Sequence, residues 1–303
     1  MCEETIEKQK KWDIIITARK LWFHFNFKEI WNYKDLLALL VKRDFTTFYK
    51  QTIFGPIWFF IQPLLTTIVF AFIFNRIAEI GTSDIPPYLF YLSGIISWNY
   101  FSNCFLNTSN SFLNNANLMS KVYFPRVIVP FSIVISNLGR FIIQFLLFII
   151  LYFYYVFFKD FQLKIYPGFL FILPFLVIQM AILGQGLGMI AASLTTKYRD
   201  LNHLLGFGTQ LLMYASPIIY PLESVPDKYR TIIFLNPMTS IIECFRFGFF
   251  QSEGITQNLL LYSISCTMVL FFIGILIFNR IEKQTVISNG IFQESKMNFC
   301  KTI

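Results

Sequence analysis

The sequence predicts an all-α, polytopic membrane protein, and three observations carry that prediction. Of 303 residues, 55% are hydrophobic, 19% aromatic and only 14% charged, against about 25% charged in an ordinary soluble domain. The 38 phenylalanines are more than one soluble core of this length encloses. The apolar residues also fall in blocks near the roughly 20 residues needed to cross the hydrocarbon of a bilayer.

In chain order, the opening MCEETIEKQKKWD is charged, and Arg19 and Lys20 break the first apolar run, so no cleavable signal peptide is expected. Residues 1–50 read as a cytoplasmic N-terminal segment. Within it, YKDLLALLVKRDFTTFYK (33–50) sets Leu36, Leu37, Leu40, Val41, Phe45 and Phe48 along one side at helical spacing. Asp35, Lys42, Thr46 and Lys50 fall opposite, and Asp44 interrupts the apolar stripe. The pattern predicts an amphipathic helix at the membrane interface, with its apolar face toward acyl chains and its basic face toward anionic headgroups. The plainer alternative is a helix packed on the rest of the chain.

Six blocks poor in charge follow, at about 57–75, 88–110, 127–158, 168–195, 203–220 and 258–278, the third containing Arg140. Six spans would place both termini on one side. With the N-terminus in the cytoplasm, the inner segments hold ten Lys/Arg before Ile57, then Lys121, Arg126, Lys197, Arg199, Arg280, Lys283, Lys296 and Lys301. The outer side keeps Arg76, Lys159, Lys164, Lys228, Arg230 and Arg246. That bias follows the positive-inside rule. The net charge of +8 therefore reads as topology in a cytoplasmic (inner) membrane, and no nucleic-acid partner is expected.

The spans contain no Asp or Glu, whereas ion-coupled transporters normally hold carboxylates at membrane depth. The chain has no G-x-x-x-x-G-K-[ST] phosphate loop and is not expected to bind ATP by that device. Gly184, Gly186 and Gly188 in ILGQGLGM lack dinucleotide-loop spacing and sit mid-span, where close helix packing is their expected use. Cys2, Cys104, Cys244, Cys266 and Cys300 show no metal-ligand spacing and read as thiols that fill space. His24 and His203 lie in separate segments. No catalytic, cofactor-binding or metal-ligating residue is identified.

Five segments carry a family resemblance: RDFTTFYKQTIFGPIWFFIQPLLTTIVF (43–70), SKVYFPRVIVP (120–130), KYRDLNHLL (197–205), ASPIIYPLESVPDKYRTIIFLNPMTSIIECFRFGFF (215–250) and FNRIEK (278–283). In that order, over about residues 33 to 285, they resemble the permease subunits of type-2 ABC transporters that export O-antigen, capsular polysaccharide or teichoic acid. The resemblance implies a transmembrane domain over 51–283 and a cytoplasmic tail over 284–303. It also implies a second copy of the chain and two copies of a separate ATP-binding cassette subunit. ATP and Mg belong to that partner, and this chain holds no cofactor. A lipid-linked polysaccharide would pass between the two permeases, within membrane lipid, with no bond broken by this chain.

The elbow MSKVYFPRVIVP (119–130) lies between two oily stretches, and in the resemblance it carries the coupling helix that docks on the ATPase. Pro125 and Pro130 fix φ and remove helix donors, which sets the angle at which one helix ends and the next begins. Tyr123 and Phe124 can fill a partner's pocket, while Lys121 and Arg126 can pair with its acids. The alternative is an inert loop whose charges enforce topology. Lys197, Arg199 and Asp200 in KYRD, with Arg43, Tyr49 and Lys50 before the first span, are candidates for contacts to the motor or to lipid phosphate, or plain topology anchors.

Between the fifth and sixth blocks, Pro221, Pro226 and Pro237 punctuate moderately apolar stretches that Glu243 and Arg246 interrupt. Non-helical backbone survives at membrane depth only where protein or water covers it, and the resemblance implies short re-entrant helices near the outer mouth. Tyr214, Ser216, Tyr220 and Arg246 are candidate residues of the translocation path, with an interfacial aromatic belt as the alternative for the tyrosines. Arg140 departs from the resemblance, which leads one to expect an acid there. It either marks the cytoplasmic boundary or meets the diphosphate of a substrate. Rival functions are a type-2 ABC permease for a drug or simple lipid, and a membrane-embedded glycosyltransferase. The latter is disfavoured because no aqueous-facing carboxylate pair or metal cluster is evident.

Overall fold

The computed structural model describes residues 31–50, 55–121, 124–162, 164–198, 200–252 and 257–300. Among these residues the only β pairing is an isolated bridge between Thr82 and Asp84. Helices α1 (Lys34–Tyr49), α2 (Trp58–Phe70, continuing in wider π turns through Ala71–Ile77) and α3 (Pro87–Ser109) come first. Two short helices, α4 (Ser111–Asn114) and α5 (Ala116–Lys121), lead into the elbow. Then come α6 (Ile128–Phe158), α7 (Phe169–Lys197), α8 (Leu201–Ala215), α9 (Asp227–Phe234), α10 (Pro237–Phe250) and α11 (Gln257–Cys300).

Among the described residues, four helices are long and apolar enough to cross a membrane: Trp58–Ile77, Ile128–Phe158, Phe169–Lys197 and Gln257–Arg280. A fifth is reached if α9 and α10, bent by 95° at their junction, count as one broken span. Six spans are not all distinguished on this basis, for two physical reasons. Helix α3 has 23 residues and no charge, but Ser93, Ser97, Thr108 and Ser109 are among its buried side chains, so its mean apolarity is low. It sits inside the protein, packed by α6 and α7. Helix α8 has only 15 residues, about 22 Å at 1.5 Å per residue, short of the hydrocarbon thickness.

The three glycines of ILGQGLGM explain how α7 sits between two neighbours. Gly184 and Gly188, one turn apart, face α3: a Cβ on Gly184 would lie 2.8 Å from the Phe101 carbonyl oxygen, and one on Gly188 would lie 2.6 Å from the Thr108 Cβ. Gly186 points the other way, where a Cβ would come within 2.8 Å of the Phe271 Cα on α11. Gly274 of α11 returns the approach, with the Gly186 carbonyl in the place its own side chain would take. Removing side chains on both faces lets backbones approach closely, which is how helices gain dispersion contacts where lipid gives no hydrophobic drive. The α7–α11 contact is pinned further by Gln179, whose amide donates to Ser263 Oγ at 2.8 Å.

At the other end, rings make the core. Phe249 of α10 packs edge-on against Phe148 of α6 at 4.9 Å and Phe169 of α7 at 5.0 Å between centroids, the preferred aromatic geometry. Gly248 is open-sided for the same reason, since any Cβ there would overlap the Phe169 ring. Asn236 caps α10 by accepting from the Met238 amide at 3.0 Å, and Pro237 follows at the first helical position, an N-terminal signature that fixes the bend.

Candidate functional site

At the elbow the chain folds onto itself. Phe124 is 3% exposed and packs with Leu40 of α1 and with Ile128, Val129 and Ile133 of α6, beside Leu36 and Leu37. The apolar stripe of α1 thus meets the elbow and α6, and Phe45 lies within reach of Gly139. Two sequence expectations change here. The stripe expected to face acyl chains is taken up by protein in large part: Leu40 is buried and Leu36, Leu37, Val41 and Phe45 are half-buried. The Phe124 ring, expected in a partner's pocket, is enclosed by this chain instead. Amphipathic spacing identifies an apolar face but not its partner.

Polar contacts strengthen the same joint. Arg43 donates from Nη2 to Asp44 at 2.7 Å and to the Asn115 side-chain oxygen at 2.8 Å, between α4 and α5. Asp44, which interrupts the stripe in sequence, is therefore the partner of Arg43, and Asn115 is a joint residue that its sequence position did not announce. Pro125 and Arg126 form the turn that starts α6, their carbonyls accepting from Ile128 and Val129 at 3.0 and 3.1 Å. Arg126 is buried, so its side chain is not presented outward as expected. The side chains of Lys121 and Tyr49, and all of Tyr123 and Arg199, lie outside the described residues.

Lys50, Lys197 and Asp200 are exposed. Lys197 Nζ stands 5.1 Å from the Tyr198 ring centroid, and Asp200 makes no side-chain cap on α8. Lys42, Arg43 and Lys50 line one open groove along α1 of about 450 Å³ with Leu39, Thr46 and Thr47. Arg140 lies part-way along α6, with its guanidinium 5.6 Å from the ring of Phe59 at the start of α2. It is thus level with the first turn of α2.

The proposed path residues separate. Tyr214 is 43% exposed on α8. Ser216 is buried, donates to the Leu212 carbonyl at 2.7 Å and accepts from Asn236 at 2.8 Å. Tyr220 is half-buried and donates its hydroxyl to the Ala215 carbonyl at 2.9 Å. Arg246 is 1% exposed and braces three elements: it pairs with Glu243 one turn back at 2.9 Å, donates to the Pro217 and Ile218 carbonyls, and stacks on Phe90 of α3. Buried charges persist when paired and hydrogen-bonded. Ser216 and Arg246 are therefore occupied in holding the 216–219 segment, and of the four candidates Tyr214 is the one open to its surroundings. Glu243 and Arg246 stand three residues apart, the spacing at which a helical pair meets, and that was the available signal.

Helix α8 is unlike its neighbours. Thr209 is its one buried residue. His203, Gln210, Phe207 and Leu211 are exposed, and a Cβ on Gly206 or Gly208 would meet nothing within 4 Å.

The chain is 30% identical over 253 residues to the O-antigen export system permease protein RfbA of Klebsiella pneumoniae, covering 82% of this chain and 92% of that protein. It is 22% identical over 258 residues to the capsule polysaccharide export inner-membrane protein CtrC of Neisseria meningitidis, covering 82% and 92%. It is 22% identical over 263 residues to the polysialic acid transport protein KpsM of Escherichia coli, covering 84% and 96%. Residues 35–250, from α1 to the end of α10, match the ABC-2 type transporter family, and the chain belongs to that family.

Proposed function

We propose that this chain is the membrane permease subunit of an ATP-driven exporter that carries a lipid-linked polysaccharide across the cytoplasmic membrane. The observation that carries this reading is likeness along nearly the whole length of an O-antigen export permease, together with family membership from α1 through α10. In the proposed arrangement there are six spans, α3 and α8 being the two that length and composition do not reveal. The α9–α10 bend is a re-entrant pair near the outer mouth, and both termini are cytoplasmic. Two copies of the chain pair with two copies of a separate ATP-binding subunit, which holds ATP and Mg, while this chain binds no cofactor and catalyses no reaction.

Helix α8 supports a seam between two copies. A polar side chain such as Gln210 facing acyl chains is costly, and open glycines suit close approach of another backbone. A second copy there, flanking a wet path, would cover both, with Tyr214 facing the glycan. The exposed cations on α1 and at Lys197 suit contact with lipid phosphate, with the N-terminal end of the chain at the membrane surface. The joint of Arg43, Asn115, Phe124 and Leu40 makes α1 and the elbow one body, so a push on α5 by the motor would move α1 and α6 together. Coupling in this form is carried by the joint, with Lys121 and Tyr123 as the contact residues.

Deleting the gene and restoring it, with and without a candidate partner ATPase gene, tests the proposal. Loss of surface glycan on deletion, recovery only when both genes are present, and accumulation of lipid-linked glycan inside the cell are expected. Normal surface glycan in the deletion strain would reject the reading.

A further inference from the structure

A second cavity lies away from α8. It has a volume of about 310 Å³ and is walled by the 83–85 turn, the start of α3, the α6–α7 connection, the 221–223 segment and the end of α10. That volume stands at the small end of the ligand-pocket range of about 300–1,000 Å³. The site fits one ring rather than a chain.

Its chemistry is mixed in a particular way. Asp84, Glu223 and Glu243 supply carboxylates, Lys164 and Arg246 supply cations, and Phe161 supplies a partly open ring. Arg246 is already paired with Glu243, and Asp84, Glu223 and Lys164 leave one net negative charge, so the cavity does not suit a phosphate or another strong anion. Among the described residues, no three His, Cys, Asp or Glu side chains group to hold a metal ion. Two polar atoms at the wall, Arg246 Nε and Ser252 Oγ, are buried without a hydrogen-bond partner. Glu243 is 6% exposed and lines the cavity, and its bond from Arg246 goes to one of its two carboxylate oxygens. Buried polar groups without partners are rare in folded proteins and mark a missing donor or acceptor. Two of the lining residues are joined, Ser83 donating to Glu223 at 2.8 Å.

A neutral ligand rich in hydroxyls meets all of these demands at once. Its hydroxyls donate to Glu243 and Glu223 and accept from Lys164 and Ser252, while its C–H face rests on Phe161. We propose that this cavity binds a single neutral pyranose residue. The choice of a sugar over another polyol rests on the export reading above; the polarity and size of the cavity do not. The sugar comes either from the exported glycan or from free saccharide outside the membrane.

The test uses the full-length chain in lipid nanodiscs, with methyl glycosides of glucose, galactose, mannose, rhamnose and N-acetylglucosamine as probes in saturation-transfer NMR. At least one probe is expected to saturate, with half-saturation on the order of 1 mM for so small a ligand. Glu223→Gln and Lys164→Ala, which alter exposed or half-buried side chains, are each expected to weaken it roughly tenfold, the loss of one charge-assisted bond. Abundance and elution volume confirm that the variants fold. Surface display by the same variants then separates the sources: reduced display assigns the sugar to the exported glycan, and unchanged display with lost binding assigns it to free saccharide. A saturable signal that both variants retain in full, or no saturable signal from any probe, overturns the proposal. Failure of the gene-restoration experiment alone would reject the export reading while leaving the binding result to stand.

Discussion

The guanidinium carbon of Arg246 on α10 stands 3.6 Å from the centroid of the Phe90 ring on α3. The same side chain pairs with Glu243 at 2.9 Å, so one buried cation joins two helices and the 216–219 segment. Breaking a buried pair from one side typically costs about 3–5 kcal/mol, while replacing both partners with apolar groups of similar size is often neutral. Arg246→Ala and Glu243→Ala are each expected to cut membrane abundance sharply. Glu243→Leu combined with Arg246→Met is expected to restore most of it. Abundance by immunoblot, at matched transcript levels, checks this; equal abundance in all four chains would refute the bracing role.

The glycine faces of α7 yield a contrast within one protein. Gly186→Val must displace the Phe271 backbone, and overpacking of this kind costs about 1–3 kcal/mol or more. Gly206→Ala on α8 meets nothing within 4 Å and should be tolerated. Thermal melts in detergent are expected to show a clear loss for the first and none for the second. Equal melts would mean that α7 and α11 are not in close contact.

Leu40 and Phe124 should behave as partners. A large-to-small change in a packed core costs about 3–5 kcal/mol for Phe→Ala and 2–5 for Leu→Ala. The pair shares one cluster, so the double variant should lose less than the sum of the singles. Both changes are expected to release α1 from α6 and to reduce co-purification of the ATPase. A cysteine pair at positions 43 and 115, in place of the Arg43–Asn115 bond, reports release through a lower yield of cross-link with a flexible bifunctional maleimide. Undiminished cross-linking in Phe124→Ala would remove the joint from the coupling route.

How much of this the sequence discloses depends on whether the information is local. Apolar block length locates α2, α6, α7 and α11, because a bilayer sets length and charge content directly. The glycine spacing in 184–188 announces tight packing, but only the fold reveals that alternate glycines serve α3 and α11. Phe124 and the α1 stripe are misassigned for one reason: an apolar face is the same in sequence whether lipid, a partner or its own chain covers it. Asn115 carries no signal, and nothing in the sequence around Ser216 announces its bond from Asn236, since each gains its contact from a residue distant in sequence.

Orientation is open to direct chemical test. Asp160 is exposed just past the end of α6, and Lys228 is exposed on α9. In a cysteine-free background, single cysteines at 160 and 228 are expected to react with an impermeant maleimide from outside intact cells. Cysteines at 50 and 197 should react only after permeabilisation. Position 228 reacting only from the cytoplasm would invert the arrangement of the spans.

The seam between copies gives the most discriminating prediction. In the single chain a Cβ at Gly208 would meet nothing within 4 Å and Gln210 and Leu211 beside it are exposed, so Gly208→Trp should leave folding and abundance unchanged if lipid alone covers α8. If a second copy packs there, the indole must hold the two backbones apart, because small residues are what permit close helix approach in a membrane. A two-fold contact also brings residues close to the axis near their own counterparts. Gly208→Cys in the cysteine-free background is therefore expected to form a disulfide-linked dimer under mild oxidation, since bridging requires Cα atoms within about 7 Å. Gly208→Trp is expected to remain abundant, to elute at lower mass and to lose glycan display. The Gly206→Ala variant, which adds one methyl, serves as the folding control. Normal display by Gly208→Trp, together with no cross-link by Gly208→Cys or by single cysteines placed likewise at 206 and 210, would place lipid rather than a second copy against α8 and move the export path elsewhere.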